Sequence, residues 1–554
     1  MTHRVYHGFK LAVILAGLVA FVSGHGQPAG PGASSPRDYV LAAPVPRAPR
    51  LNGARIFGVR PGSPVLFKVA ASGEGPLVYR ADGLPTGLAL DSATGILTGR
   101  LDRPGEYPVQ LHVANAHGTT SRELRLVVGD RLALTPPMGW NSWYCWSESV
   151  SQEKVAASAR MMAKKLSAHG WTYVNIDDCW QGVRGGAFGA IQPNERFPDI
   201  ARLADEIHAL GLKFGIYSTP WMGSYAGFIG GSAEKPEGGY TTALVMPEAE
   251  RPQPTQLFGR HPGSALRGAQ VIGPYQFTDR DARQYAAWGV DFIKYDWRNS
   301  VLHHTPLQPP VKRTDYPKIP ESIARLAREL KATDRDIVLS LSPITDWENR
   351  ADVVEHTQLW RITRDIKASW ASLDHVFDLE DWFACTGPGH WADPDMLQVG
   401  SMGVVNAENR TLRPTALTPD EQLTQMSLWC LLSAPLLLSC DLTALDDFTL
   451  ALLTNDEVID LDQDALGLAA RRISRDGKTE VWVKRLEDHS LAIGFFNRGE
   501  SAATARVSWA DLGIRGTWIV RDLWRRTDVA AEQDAFVTEL PPHGVRLVRL
   551  RPRP

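Results

Sequence analysis

Val290-Asp291-Phe292-Ile293-Lys294-Tyr295-Asp296-Trp297 is a short apolar run that ends in charge and indole. Its length and its bounding residues read as a strand buried on both faces, with polar groups only at its C-terminal end. The same grammar recurs on either side. Tyr173-Val174-Asn175-Ile176 runs into Asp177-Asp178-Cys179-Trp180, and Lys213-Phe214-Gly215-Ile216-Tyr217 precedes a Gly/Pro-rich stretch over 222–275. Asp336 to Leu341 ends at Ser342-Pro343, and Gln358-Leu359-Trp360-Arg361 runs on to Thr363-Arg364-Asp365. Met138-Gly139-Trp140, Asp393-Pro394-Asp395-Met396-Leu397 and Pro435-Leu436-Leu437-Leu438 complete eight strand candidates. Helix-period stretches lie between them, among them Gln152 to His169, with Val155, Ala159, Met162 and Leu166 on one face, and Glu321 to Leu330. Eight strand–helix units over 131–460 predict a (β/α)8 barrel of the α/β class. A doubly wound sheet is the weaker reading, because no GxGxxG follows the first strand.

Outward from the barrel the rhythm changes. Residues 51–130 alternate in short segments such as Val65 to Val69, Tyr107 to Val113 and Leu124 to Val128, and predict a β-sandwich. Residues 461–554 alternate again, as in Glu480 to Lys484 and Val545 to Leu550, and predict a C-terminal antiparallel β-sandwich. Residues 25–50 are rich in Pro, Gly and Ala and read as a linker. Residues 1–24 combine Arg4 and Lys10, a short apolar core and Val22-Ser23-Gly24, the pattern of a secretory signal, so the protein is expected to be exported to a periplasmic or extracellular space.

Composition narrows the function. The 554 residues are 44% hydrophobic and 22% charged with a net charge of −3, which gives no electrostatic case for nucleic acid or an anionic membrane. No segment after the signal is long and apolar enough to span a bilayer. The five cysteines have no CxxC spacing, which argues against structural zinc; Cys145 and Cys179 can bridge in an oxidising compartment. No HxH or HExxH spacing points to a metal. The 18 tryptophans are the compositional excess, and none precedes Trp140.

The ends of the barrel strands hold the chemistry. In a barrel they converge on one mouth, so Asp177, Asp178, Lys294, Asp296, Arg361, Asp365, Asp393 and Asp395 can share a pocket. Carboxylates accept hydrogen bonds from vicinal hydroxyls, and indole faces pack on the C–H face of a sugar. Glycoside cleavage needs one carboxyl ionised and one protonated. Asp296, with Lys294 two residues earlier on the same strand face, suits the ionised role, and Asp365 suits the acid. Arg361 lies on the same side of the extended segment as Asp365. A cation there lowers a carboxyl pKa, which leaves its relation to a proton donor open. A single Asp at a strand end is commonly a helix cap. It is the joint occurrence at successive strand ends that capping does not explain.

The chain resembles the retaining α-galactosidases of glycoside hydrolase family 27 from about Leu132 to Gly467. The likeness is carried by PPMGWNSW (136–143), YVNIDDCWQG (173–182), FGIYSTP (214–220), WGVDFIKYDW (288–297), LWRITRDI (359–366), WADPDMLQVG (391–400) and VIDLDQDALG (458–467). LPTGLALDSATGILTGRLDRPGEYPVQLHVANAHG, within 51–130, resembles Ig-like modules appended to exported bacterial glycosidases. The family resemblance implies Asp296 as nucleophile and Asp365 as acid/base, with Asp177 and Asp178 on the 4- and 6-hydroxyls of a terminal α-galactose. It implies substrate contacts for Trp143, Tyr217, Lys294 and Arg361, and no cofactor; Ser342 and Asp395 join the expected substrate-binding set from their strand-end positions, although Asp393 and Asp395, around Pro394, can also serve only to fix a turn. The expected partner is an oligosaccharide or polysaccharide ending in α-galactose. Departures bear on specificity. Trp297-Arg298-Asn299 replaces a Cys usual after the nucleophile, and Ser342 stands where 2-substituent discrimination is set. Ala392 replaces a usual Asn, and Arg364 a small residue. α-N-Acetylgalactosaminidase, β-L-arabinopyranosidase and isomaltodextranase are rival specificities within the family. A non-catalytic carbohydrate-binding protein is the rival from another class, and intact Asp296 and Asp365 argue against it.

Overall fold

A computed structural model describes residues 45–239, 266, 272–296, 319–342, 350–403 and 411–553. The signal and most of the linker expected over 1–50 lie outside these residues, as do Trp297 and the greater part of the 222–275 insertion.

Eight parallel strands form the central sheet: β1 (Met138–Asn141), β2 (Tyr173–Asn175), β3 (Lys213–Ser218), β4 (Phe292–Asp296), β5 (Val338–Ser342), β6 (Leu359–Arg361), β7 (Trp391–Asp393) and β8 (Leu436–Leu438). They follow one another in chain order, and β8 pairs back onto β1 through Met138–Leu436 and Trp140–Leu438. The last seam is narrow. Leu397, beyond the end of β7, donates its amide to Leu437 O at 2.8 Å and makes a single parallel bridge to Leu438. The seventh strand was expected over Asp393–Leu397, but the ladder occupies Trp391–Asp393 instead. Pro394 has no N–H to donate, and Asp395 turns into the left-handed region at φ 84°, so the pairing stops and resumes only at Leu397.

The interior is packed rather than hollow. At the N-terminal end Tyr173, Phe292, Val338, Leu359 and Trp391 form one buried layer with Leu132. Charged groups gather instead at the C-terminal ends, where short buried strands release the chain into loops. Outside the sheet, helix α1 (Gln152–Lys165) opens on Ser151, whose side chain accepts from the Lys154 amide, and buries Val155, Ala159 and Met162. It stops before His169, giving way to a 3-10 turn at Ser167–His169 that ends on Gly170 at φ 96°. Helix α2 (Pro419–Leu432), between β7 and β8, is buried over almost its whole circumference and carries a reciprocal Thr418/Glu421 capping box.

The N-terminal module is a sandwich. One sheet has the order Ile56–Val59, Gly118–Val128, Gly105–Asn115, Val78–Asp82, and the other Pro64–Lys68, Ile96–Arg100, Leu88–Leu90. Val65, Leu97, Val109, Leu111 and Leu126 fill the space between. The C-terminal module pairs a six-stranded antiparallel sheet with the ribbon Ala503–Ser508/Ala535–Leu540. The expected boundary at 460/461 falls inside the helix Asp456–Asp462, and the first strand of the C-terminal sheet begins at Arg471. The boundary at 50/51 falls inside the two-residue strand Arg50–Leu51.

All five cysteines are free thiols, so the bridge allowed for Cys145 and Cys179 does not form. The Cys145 thiol points back along its own turn and donates to Ser142 O at 3.6 Å, while Cys179 sits at φ 88°. Burial pushes both thiols well above the usual cysteine range.

Candidate active site

A pocket of about 310 Å³ opens at the C-terminal ends of the strands. Its wall is Trp143, Asp177, Asp178, Tyr217, Tyr225, Lys294, Asp296, Ser342 and Asp365. Eight of the ten expected site residues therefore meet, from β1 to β6, although Trp143 and Asp365 lie 222 positions apart in the chain.

Asp177 and Asp178 leave the end of β2 in different environments. Asp177 Oδ2 accepts from Asn141 Nδ2 at 2.7 Å and Lys294 Nζ at 2.8 Å, and its Oδ1 from the Asp178 amide at 2.9 Å. Asp178 accepts from the Cys179 amide on Oδ1 and the Ala226 amide on Oδ2, each at 2.7 Å, and from the Ser224 side chain. Burial, against the pull of those hydrogen bonds, pushes Asp178 up to about 7. Lys294 goes the other way from what its burial alone dictates. Desolvation lowers it, but Asp177, Asp296 and Asp365 together raise it, so it stands in the pocket as an ammonium.

Asp296 ends β4 and is 7% exposed. Its Oδ2 accepts from Tyr217 Oη at 3.0 Å, and Tyr217 Oη in turn accepts from the Tyr225 amide at 3.4 Å. Burial first, then the facing Asp296 and Asp178, hold the phenol well above its usual value, so it remains a donor. Asp365 differs sharply: its side chain is 48% exposed, and Arg361 Nη2 lies 3.3 Å from Oδ1.

Arg361 and Asp395 were expected to touch substrate and do not line the pocket. Their side chains are 4% and 1% exposed and pair behind the wall, Arg361 Nη2 to Asp395 Oδ2 at 3.0 Å. The cause is the Pro394–Asp395 turn, which aims the carboxylate back beneath β6 instead of into the mouth. There Oδ2 also accepts from the Ile366 amide at 2.8 Å and lies 3.0 Å from Tyr144 Oη. Ser342, the last residue of β5, does line the pocket, with Arg361 Nη1 at 3.5 Å.

Tyr225 is the wall residue that sequence reasoning missed. It stands edge-on to Trp143, ring centroids 5.8 Å apart at 79°. Its turn is folded by Ser224, whose amide donates to Phe228 O at 2.7 Å and whose hydroxyl accepts from the Phe228 amide at 3.0 Å. An aromatic directly after β3 within Trp221-Met222-Gly223-Ser224-Tyr225 was the available signal. Asn141, which holds Asp177, was likewise visible inside the first motif. No group of three or more His, Cys, Asp or Glu side chains suited to a metal occurs among the described residues.

Two carboxylates, one ending β4 and one in the loop after β6, with an acidic pair, an ammonium and an aromatic edge around one pocket, define a glycoside hydrolase. Comparison with known proteins specifies which. The Alpha galactosidase A family model matches residues 135–241 and 264–464, and the Alpha galactosidase C-terminal beta sandwich domain matches 476–550. A third model, for an Ig domain, matches 48–129. Alpha-galactosidase 2 of Arabidopsis thaliana is 30% identical over 435 residues, 77% of this chain and 92% of that one. A solved candidate alpha-galactosidase from Bacteroides fragilis is 29% identical with a TM-score of 0.75, over 93% of this chain and 100% of that one. The family 27 β-L-arabinopyranosidase of Geobacillus stearothermophilus is 31% identical with a TM-score of 0.59, over 76% of this chain and 97% of that one. The chain belongs to the Alpha galactosidase A family, glycoside hydrolase family 27, and is a glycosidase of the α-galactosidase type.

Proposed function

We propose that the protein is an exported, retaining exo-glycosidase that removes terminal α-D-galactose by double displacement. Asp296 attacks the anomeric carbon while Asp365 protonates the departing oxygen. Asp365 then takes a proton from water as the glycosyl–Asp296 ester is hydrolysed, with configuration retained. The observation that carries this reading is the asymmetry of the two carboxyls on one pocket. Asp296 is buried, hydrogen-bonded by Tyr217 and near Lys294, as an ionised nucleophile requires. Asp365 is half exposed at the mouth, where a leaving group and a water must both reach it.

The glycone follows from the other wall. Asp177, held by Asn141 and Lys294, presents a fixed acceptor suited to an axial hydroxyl. Asp178 adds an acceptor for a C6 hydroxyl, which favours galactose over arabinopyranose. Trp143 and Tyr225 supply the apolar corner on which a sugar C–H face packs. Ser342 is small, and this favours a second reading in which the site admits a 2-acetamido group.

A panel of aryl glycosides tests the assignment: α-galactoside, α-N-acetylgalactosaminide, β-L-arabinopyranoside and α-glucoside. The α-galactoside is expected to give the highest kcat/KM, and a higher value for any other glycoside replaces the assignment with that specificity. Asp296→Ala is expected to abolish turnover of an activated α-galactoside. Unchanged turnover would sink the nucleophile.

A further inference from the structure

Arg361 poses an electrostatic problem for a proton donor. Its Nη2 lies 3.3 Å from Asp365 Oδ1. An opposite charge that close lowers a carboxyl by about 1–3 units, which would strip Asp365 of its proton well below neutral pH. The same Nη2 lies closer, at 3.0 Å, to Asp395 Oδ2. We propose that Asp395 is a positioning residue that neutralises Arg361 and so lets Asp365 keep its proton until the leaving oxygen takes it. The inference rests on the acid/base role given to Asp365 above.

The geometry is built for that purpose. A buried guanidinium needs a counter-charge, because taking an unpaired ion out of water is strongly unfavourable. Asp395 supplies it from a left-handed turn that an Asp adopts only at a cost in strain, φ 84°. Its other bonds tie it to the acid's own loop: the Ile366 amide, one residue past Asp365, donates to Oδ2. The Asp395 amide donates to Asp393 Oδ1 at 2.8 Å, which fixes the turn from behind. Arg361 Nε and Asp395 Oδ1 are both buried without a hydrogen-bond partner among the described residues. The fork-on-fork pair those atoms would make is not taken. Arg361 pairs with Asp395 through Nη2, and the same nitrogen donates to Asp365 Oδ1 and to Thr363 O, each at 3.3 Å. When Asp365 has given up its proton and become an anion, the guanidinium is already within reach to stabilise it.

The groups facing Asp365 and its partners come from every neighbouring element. Arg361 is on β6; Lys294 and Asp296 are on β4; Asp177 and Asp178 follow β2; Tyr144 follows β1; Asp393 ends β7 and Asp395 follows it. Arg364 and Lys367 flank Asp365 in sequence. Arg361 lies within hydrogen-bonding distance of Asp365, so its compensation bears directly on the acid.

The alkaline limb of kcat/KM against pH reports the acid of the free enzyme. In Asp395→Asn it is expected to fall by about one unit or more, since Arg361 then acts on Asp365 unopposed. At pH 7 the loss is expected to be at least about tenfold larger for an alkyl or sugar α-galactoside than for a dinitrophenyl one, whose leaving group needs little protonation. The double variant Asp395→Asn/Arg361→Met carries neither charge and is expected to restore the limb to the wild-type position. A purely structural Asp395 predicts a double variant no better than the single. An unmoved limb in Asp395→Asn, or a double-variant limb below wild type, overturns the proposal, and the double variant is informative even if the single does not fold. Asp365→Asn separates this from failure of the underlying reading. If it keeps the wild-type limb and the wild-type leaving-group dependence, Asp365 is not the acid at all.

Discussion

Tyr217 shows how much one hydroxyl can be asked to do. It donates to Asp296 and accepts from the turn that carries Tyr225, so it joins the nucleophile to the aromatic side of the wall through two bonds. A hydrogen bond to a charged group contributes about 1.5–3 kcal/mol, so Tyr217→Phe is expected to lower kcat/KM by roughly 10- to 100-fold. The check is steady-state kinetics on an aryl α-galactoside beside a thermal melt that stays near wild type. Asp178 makes a second prediction. Its folded pKa, about 7, lies above the unfolded value near 4, so the native state holds a proton that the unfolded chain releases. Asp178 therefore lowers stability progressively as pH rises from about 4 to about 7, and no further above that. A sugar hydroxyl donated to its carboxylate favours the charged form. Binding of galactose at pH 7 is then expected to release a fraction of a proton, read by calorimetry in buffers of different ionisation enthalpy. Zero release that persists across pH 6 to 8 would remove Asp178 from the hydroxyl-binding role.

At the scale of elements, the β strands were legible because each is a buried apolar run closed by a polar cluster. The seventh was displaced because Pro394 and the left-handed Asp395 act on backbone pairing, which an apolar pattern does not register. Helix α2 is instructive in the opposite sense. It is buried almost all round, so no amphipathic stripe marks it, yet its start is written in Thr418-Pro419-Asp420-Glu421. Glu421 leads a double life, closing the capping box and accepting from His543 Nδ1 at 2.8 Å in the C-terminal sandwich. Thr418→Ala is expected to cost about 1 kcal/mol through the lost cap. A lower midpoint in chemical denaturation with kcat/KM retained is the measurement that checks it.

At the scale of the molecule, both flanking sandwiches are fastened by arginines. Arg60 of the N-terminal module reaches the barrel's underside, pairing with Asp336 through Nε at 2.6 Å and its own amide at 2.9 Å, and capping the carbonyls of Lys331, Thr333 and Arg335. Arg60→Ala leaves those groups partly buried and unpaired, and is expected to loosen the module by about 2 kcal/mol or more. Earlier protease cleavage near 129–135, with the pocket's kinetics unchanged, is the expected result. On the other flank Arg498 gathers Asp374, Asp378 and Glu480 between barrel and sandwich. Its hydrogen bond holds Asp378 below the usual carboxylate range. That contribution is complete above about pH 4 and is lost as pH falls through the depressed value.

The chain's own order of residues determined the barrel, the two sandwiches and eight of the ten expected wall residues, because strand-end chemistry and apolar runs are local and a barrel brings all strand ends to one mouth. Tertiary structure alone decided which of those polar groups face the sugar and which stand behind it. Asp395 and Arg361 look like pocket residues in one dimension. A left-handed turn after Pro394 turns the carboxylate inward, and a buried guanidinium must follow its counter-charge. Tyr225 shows the converse, since its place on the wall depends on a fold-back fixed by Ser224, which no periodicity records.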